Sequence, residues 1–274
     1  MQTESNYRPV VLAIGGHDPG GGAGIQADIE SIGTNGCHAA TALTCVTVQD
    51  SCNVDQLIPL PAETLSAQCS AVLEDCRVEA IKIGLLGSTH AVEAVIKVLQ
   101  NHPKIPIVFD PVLSAGGGND LTSQTLLSII QQRLLPLCDL ITPNTEEAAR
   151  LSGRGDAASI DQHAETLLQL GAQSVLITGT HDLSDSELVT NRLYQRKKAP
   201  VLSTWPRLSG EYHGSGCTLA AALAAHIGFG DSIEAATQKA LTYSWDCLNS
   251  GFRTGKCQSL PNRWHHSHNR PEPQ

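Results

Sequence analysis

What the chain lacks narrows its class before any motif is read. No apolar run in its 274 residues approaches the roughly 18 that a membrane span needs. Its first residues, MQTESNYRPV, have no cationic start followed by a hydrophobic stretch, so they do not read as a signal peptide. Positive charge is in deficit: the net charge of -9 argues against a nucleic-acid or anionic-membrane partner. No CxxC pair occurs, and the nine cysteines are an odd number, so neither a disulfide framework nor a zinc knuckle is expected. They read as reduced thiols of a cytoplasmic protein. The glycine stretch GGHDPGGGAG, residues 15–24, is not a P-loop, because that loop needs GxxxxGK and no lysine lies in residues 15–36. Its glycines fit a dinucleotide fingerprint only as the weak variant Gly22-x-Gly24-x-x-Ala27 with Asp50 as the acid.

With 41% hydrophobic residues the chain can bury a sizeable core, and its length suits one large α/β domain. Compact apolar runs at 8–14, 38–49, 80–84, 106–110, 139–142 and 174–178 read as strands, with helical patterns between most of them. Pro61 and Ala62 open an apolar repeat that predicts a helix to Cys76. This rhythm implies a largely parallel sheet with helices on both faces. Residues 186–207 change to strand-like pieces, a hairpin region. Helices resume at 217–228 and 231–250. No internal repeat or linker divides the chain, so one domain is expected over 1–264. The polar, proline-bearing tail 265–274 is expected to be disordered, with His265, His266 and His268 solvated rather than metal-binding.

Ligands of such sheets bind at the carboxyl ends of the strands. Four motifs fall there: the glycine stretch, Gln49-Asp50, Asp110-Pro111-Val112 and TPNTEEA (142–148). A fifth, HGSGCT (213–218), opens a run of alanines, which are strong helix formers. Its glycines place the helix start near Gly216 or Cys217. A Gly-Ser-Gly entry leaves backbone N–H groups uncovered at the positive end of the helix dipole, which is an anion site. Cys217 then sits in the first turn, where a thiol is most easily converted to a thiolate. A glycine turn leading into a buried helix with a structural cysteine fits the same residues.

Together AIGGHDPGGGAGIQADI, TALTCVTVQD, KIGLL, DPV, LITPNTEEA and HGSGCTLAAALAA resemble the hydroxymethylpyrimidine kinase/phosphomethylpyrimidine kinase family of thiamine biosynthesis, within the ribokinase-like superfamily. The likeness runs from Val10 to about Arg263. It implies a three-layer α/β/α fold around a mostly parallel sheet, a homodimer, and ATP-dependent phosphorylation of the hydroxymethyl group and then of the monophosphate. It assigns Gly214, Ser215, Gly216 and Cys217 to the transferring phosphoryl group, with Cys217 as base, and Asn144 and Thr178 to the nucleotide. Gln49 would read the pyrimidine, because its carboxamide offers a donor beside an acceptor. Gly16 and Asp28 would line the same pocket. Asn144 and Glu147 share a helix face. Glu147 would hold Mg²⁺ through water, with Asp110 as the second metal candidate. A TPN helix cap is compatible with these roles.

Two departures stand out. The family's Lys-Gly-Gly-His stretch is Thr178-Gly179-Thr180-His181 here, and a lysine after DPV is replaced by Ser114-Ala115-Gly116-Gly117-Gly118. Two phosphate-side charges are therefore missing, each worth about 1–3 kcal/mol as a charge-assisted hydrogen bond. Lys82 and Arg263 are the alternative sources of positive charge. Leu85 stands where the family often has methionine. Two competing readings are a pyridoxal-type kinase on the same scaffold and a pyrimidine sensor without catalysis.

Overall fold

The computed structural model describes residues 7–113, 122–155, 157–180 and 187–265. The first strand, β1 (Val10–His17), shows why the sheet is buried on both faces. Its alternate residues Leu12 and Ile14 enter one hydrophobic cluster and Val11 and Ala13 enter the other. Helices α2 (Ala62–Asp75), α3 (Thr89–Asn101), α4 (Gln124–Ile129), α5 (Thr145–Ser152) and α6 (Ile160–Gln169) contribute to the first cluster. Helices α1 (Gly24–Thr34), α7 (Ser215–Gly228) and α8 (Ile233–Asn249) contribute to the second. The result is three layers, α/β/α, with the expected one sheet in the middle.

The remaining strands are β2 (His38–Gln49), β3 (Val54–Pro59), β4 (Val78–Ile83), β5 (Ile107–Phe109), β6 (Leu140–Ile141), β7 (Ser174–Ile177), β8 (Leu188–Gln195) and β9 (Val201–Pro206). Their spatial order is β3-β2-β1-β4-β5-β6-β7-β8-β9. Pairs from β2 to β7 through β1 are parallel, while β3 and the β8–β9 hairpin add antiparallel edges. The hairpin lies within 186–207 as expected. Strand β3 is an addition to the sequence reading: its six residues are mostly exposed and carry no clear apolar alternation. No helix among the described residues is long and apolar enough to cross a membrane.

Two features of this order position a site. The chain leaves β1 toward β2 and later returns to β4 on the other side, so a crevice opens outside their carboxyl ends. Helix α7 supplies the second. Ala220, Ala221, Ala222, Ala224 and Ala225 are all 0% exposed, and such small side chains let the helix lie close against β1, β4 and β5. Its N-terminus thereby reaches the strand ends: a Cβ on Gly216 would lie 3.6 Å from Asp110 Oδ1.

One expectation is overturned outright. Cys52 and Cys257 form a disulfide across 205 residues, so the cysteines are not all reduced; the other seven are free thiols. Neither partner belongs to a close pair in sequence, and only the fold brings the 50–53 turn against the 253–258 loop. Of the tail, His265 is within the described residues, and His266 and His268 lie outside them.

Candidate active site

The floor of the crevice is a cluster of buried charges drawn from four elements. Lys82 of β4 and Asp28 of α1 form an ion pair at 2.7 Å, with side chains 1% and 0% exposed. Asp110, just past β5, is 4% exposed, and its Oδ2 has no hydrogen-bond partner among the described residues. Burial alone would lower the Lys82 ammonium, but Asp28, Cys217 and Asp110 outweigh it and raise its pKa. Burial raises both carboxyls, against the pull of Lys82. One cation cannot compensate two buried carboxylates, so the floor favours a further proton or cation.

Cys217 meets this cluster from the first turn of α7. The helix starts at Ser215, one to two residues before the predicted start, behind Gly214 in the left-handed region (φ 81). A side chain there would collide with Gly22 O, 1.9 Å from the ideal Cβ position, so only glycine fits. The expected thiolate is a correction. Burial pushes the Cys217 thiol up to about 12; Lys82 pulls it down, Asp110 and Asp28 push it up, and the Gly24 N–H pulls it down. The helix end is in place, but burial outweighs it, and the neighbouring carboxylates add to the rise. Gly24 is the first residue of α1, so the N-termini of α1 and α7 converge on this sulfur.

Glu147 lies next to Asp110 in charge terms. Burial and then the Asp110 charge raise its carboxyl to about 8, while N–H groups of Asn144 and Leu113 oppose the rise. Glu147 Oε2 accepts the Asn144 N–H at 2.9 Å, and Asn144 Oδ1 accepts the Glu147 N–H at 2.9 Å. This capping box starts α5 and is the helix-cap reading of TPN made real. Thr178 follows β7 and bridges Asn144 in parallel fashion. Asn144 and Thr178 thus sit side by side on the same sheet edge, beyond Asp110.

The rim is organised differently. Gln49, half-buried, ends β2 after a shift in register with β3. Its Nε2 lies 3.4 Å from His213 Nε2, which lies 2.9 Å from Asp18 Oδ2. Gly16 is buried, and a side chain there would press on Cys45 Sγ at 2.8 Å and Leu85 at 3.3 Å. Asp28 is not a wall of this pocket: fully buried, it acts as the counter-ion of Lys82. Arg263 lies behind the rim, 2% exposed. It donates to Thr218 Oγ1 at 2.9 Å, to Glu30 Oε2 at 3.1 Å and to the carbonyls of Gly21 and Gly22. Of the two unplaced bases, Lys82 is therefore in the floor, and Arg263 ties the glycine loop to α7. The 114–118 stretch and His181 lie outside the described residues. Asp18 and His213 were missed as individuals, although each is an ionisable residue in a motif already singled out.

Three comparisons bear on this arrangement. The model of a family described as phosphomethylpyrimidine kinase matches residues 18–262. A hydroxymethylpyrimidine/phosphomethylpyrimidine kinase of Haemophilus influenzae is 36% identical over 261 residues, which cover 94% of this chain and 97% of that protein. Among solved structures, an ADP complex of Bacillus subtilis pyridoxal kinase superposes with a TM-score of 0.87 at 27% identity, over 96% of this chain and 100% of that one. A phosphomethylpyrimidine kinase from Clostridium difficile gives 0.76 at 27% identity, over 88% of this chain and 100% of that one.

Proposed function

The chain belongs to the phosphomethylpyrimidine kinase family, and from that membership we propose how its own residues perform the transfer. It is a phosphotransferase, a hydroxymethylpyrimidine/phosphomethylpyrimidine kinase of thiamine biosynthesis, with ATP as the phosphoryl donor. Phosphoryl transfer asks a protein for alignment and charge neutralisation more than for covalent help. The convergence of two helix N-termini on Cys217, beside a buried lysine, is the observation that carries the assignment of parts. In this reading the N–H groups of Gly214, Ser215, Gly216 and Cys217 receive the transferring oxygens. Lys82 supplies a positive charge under them in place of the missing phosphate-side lysines.

Asp110 and Glu147 fit a divalent cation on the chemistry of the pair. Asp110 carries a buried oxygen with no partner among the described residues, and its charge is one cause of the raised Glu147 pKa. They would hold Mg²⁺, whose part when bound is to neutralise phosphate charge. Asn144 and Thr178 are assigned to the nucleotide because they share the edge beyond Asp110. Gln49 is assigned to the pyrimidine, with Gly16 giving the ring room beside Leu85.

Cys217 is assigned as the acceptor of the hydroxyl proton. Burial opposes its thiolate most, Lys82 and the Gly24 N–H favour it, and Asp110 and Asp28 oppose it, so taking up the Asp110 charge eases its ionisation. A loose transition state places that demand late. The family likeness also supports a cytoplasmic homodimer acting on small molecules, without nucleic acid or membrane.

The test is ATP consumption by the purified protein with Mg²⁺ and hydroxymethylpyrimidine, with Cys217→Ala and pyridoxal in parallel. The expected result is mono- and diphosphate products, with kcat about 10²–10⁴-fold lower in the variant. An equally active variant removes Cys217 from the proton path. Pyrimidine binding without transfer under any nucleotide would instead make the chain a sensor.

A further inference from the structure

The His213 ring is held from three sides. Its Nε2 faces Asp18 Oδ2 at 2.9 Å. Its backbone N–H donates to Ser259 O at 2.9 Å. Gly22 lies so close that a Cβ there would fall 2.4 Å from the ring's Cδ2. Asp18 is held as firmly: its Oδ1 accepts the Gly20 N–H and its Oδ2 the Ala23 N–H, both at 2.8 Å. Burial opposes its ionisation, but the bonds from His213, Ala23 and Gly20 prevail and lower its pKa to about 2.

An ionised Asp18 can only accept, so His213 Nε2 is the donor between them. That nitrogen has one hydrogen, and Asp18 takes it. Gln49 Nε2, 3.4 Å from the same atom, therefore finds no acceptor there. Its amide hydrogens remain for a ligand, and the fixed ring limits where the amide can turn. The shift in register between Val48 and Gln49 brings the side chain to this face. A ligand with a ring nitrogen next to an amino group satisfies both ends of such an amide. A pyridoxal-type ring, which offers a phenolic oxygen and no amino group, leaves one end unpaired.

We infer that Asp18 and His213 are positioning residues that set the Gln49 amide for an aminopyrimidine and against a pyridoxal-type ring. The inference rests on the assignment of Gln49 to the pyrimidine and deepens it. Removing the pair costs the substrate about one hydrogen bond, near tenfold in affinity.

The experiment measures kcat and KM for hydroxymethylpyrimidine and for pyridoxal in wild type, His213→Phe, His213→Gln, Gln49→Ala and the His213→Phe/Gln49→Ala double variant. Phenylalanine keeps the ring against Gly22 but cannot bond Asp18; glutamine can still donate to it. The expected result for His213→Phe is a rise of about tenfold in pyrimidine KM, larger than any change in kcat, and a fall of similar size in the pyrimidine-to-pyridoxal preference. Glutamine should recover part of it, and the double variant should be no worse than Gln49→Ala alone. Equal losses on both substrates, or losses that multiply in the double variant, would overturn the inference. If wild type transfers phosphate to neither compound, the kinase assignment fails separately. Calorimetric pyrimidine Kd values for the same proteins then decide, and an unchanged Kd in His213→Phe overturns the pair's role.

Discussion

Lys82 meets Asp28 at 2.7 Å with both side chains sealed from water, while across the same pocket Gln49 meets His213 at 3.4 Å on partly open surface. The floor is assembled from the ends of α1, β4, β5 and α7, elements anchored in the two hydrophobic clusters. The rim joins the ends of β1 and β2 to loops. It needs explicit ties: Ser51 Oγ accepts from the Lys256 and Cys257 N–H groups at 3.0 and 3.3 Å, Ser259 holds Glu211 and His213, and Cys52–Cys257 closes the set. Rigid elements can hold uncompensated charge in place, which is what phosphate chemistry needs. Loops can be shaped to one ring, which is what recognition needs.

The largest expected effect breaks the floor. Lys82→Met leaves Asp28 and Asp110 buried without their cation, at a cost of about 3–5 kcal/mol in stability and with loss of transfer. Urea unfolding measures the first and the ATP assay the second. A loss below about 1 kcal/mol would mean that both carboxyls already carry protons, and that the floor is less charged than the comparison assumes.

The same contrast governs what could be read from the sequence. Strand β2 was legible because HAATALTCVTVQ is rich in β-branched residues, and α7 because alanines leave few other choices. Strand β3 was not, since VDQLIP is a short, mostly exposed edge without apolar alternation, and it pairs only with β2. The phosphate-side motifs were legible as motifs, but the cluster was not. Positions 28, 82, 110 and 217 share nothing in sequence and meet only through strand order. A lysine inside the buried strand AIKIG was the available clue, since a fully buried lysine requires a partner. The thiolate expectation erred because a helix N-terminus can be read from sequence, whereas the burial of the thiol and the two carboxylates beside it cannot. The disulfide was hidden by an odd cysteine count and a separation of 205 residues.

That disulfide gives the next effect in size, and it falls on the rim. Cys257 is exposed, so a thiol reductant can reach the bond, and a reducing compartment would open it. Opening a loop this long costs about 2–4 kcal/mol. Cys52→Ser should therefore lower the melting temperature to the value of the reduced wild type, and reductant should not lower it further. It should weaken pyrimidine binding, through Ser259 and His213, more than it slows transfer. If kcat fell while pyrimidine KM held, the rim would be part of the chemistry and the division drawn here would be wrong.

The last effect, the smallest per pH unit, lies back in the floor, and it tests whether charge there is left uncompensated until ligands arrive. Glu147 has its carboxyl raised from 4.5 to about 8. Between those values the folded protein binds a proton that the unfolded chain has released, so stability falls as pH rises through this window. Below 4.5 both forms are protonated and the penalty vanishes; above about 8 it is fully present. The slope is at most one proton, about 1.4 kcal/mol per pH unit. Melting curves of metal-free protein should show this decline, and Glu147→Gln should flatten it. Added Mg²⁺ should flatten it in wild type and leave Glu147→Gln nearly unmoved. A wild-type slope indifferent to Mg²⁺ would place the cation away from Glu147 while leaving the buried charge of the floor intact.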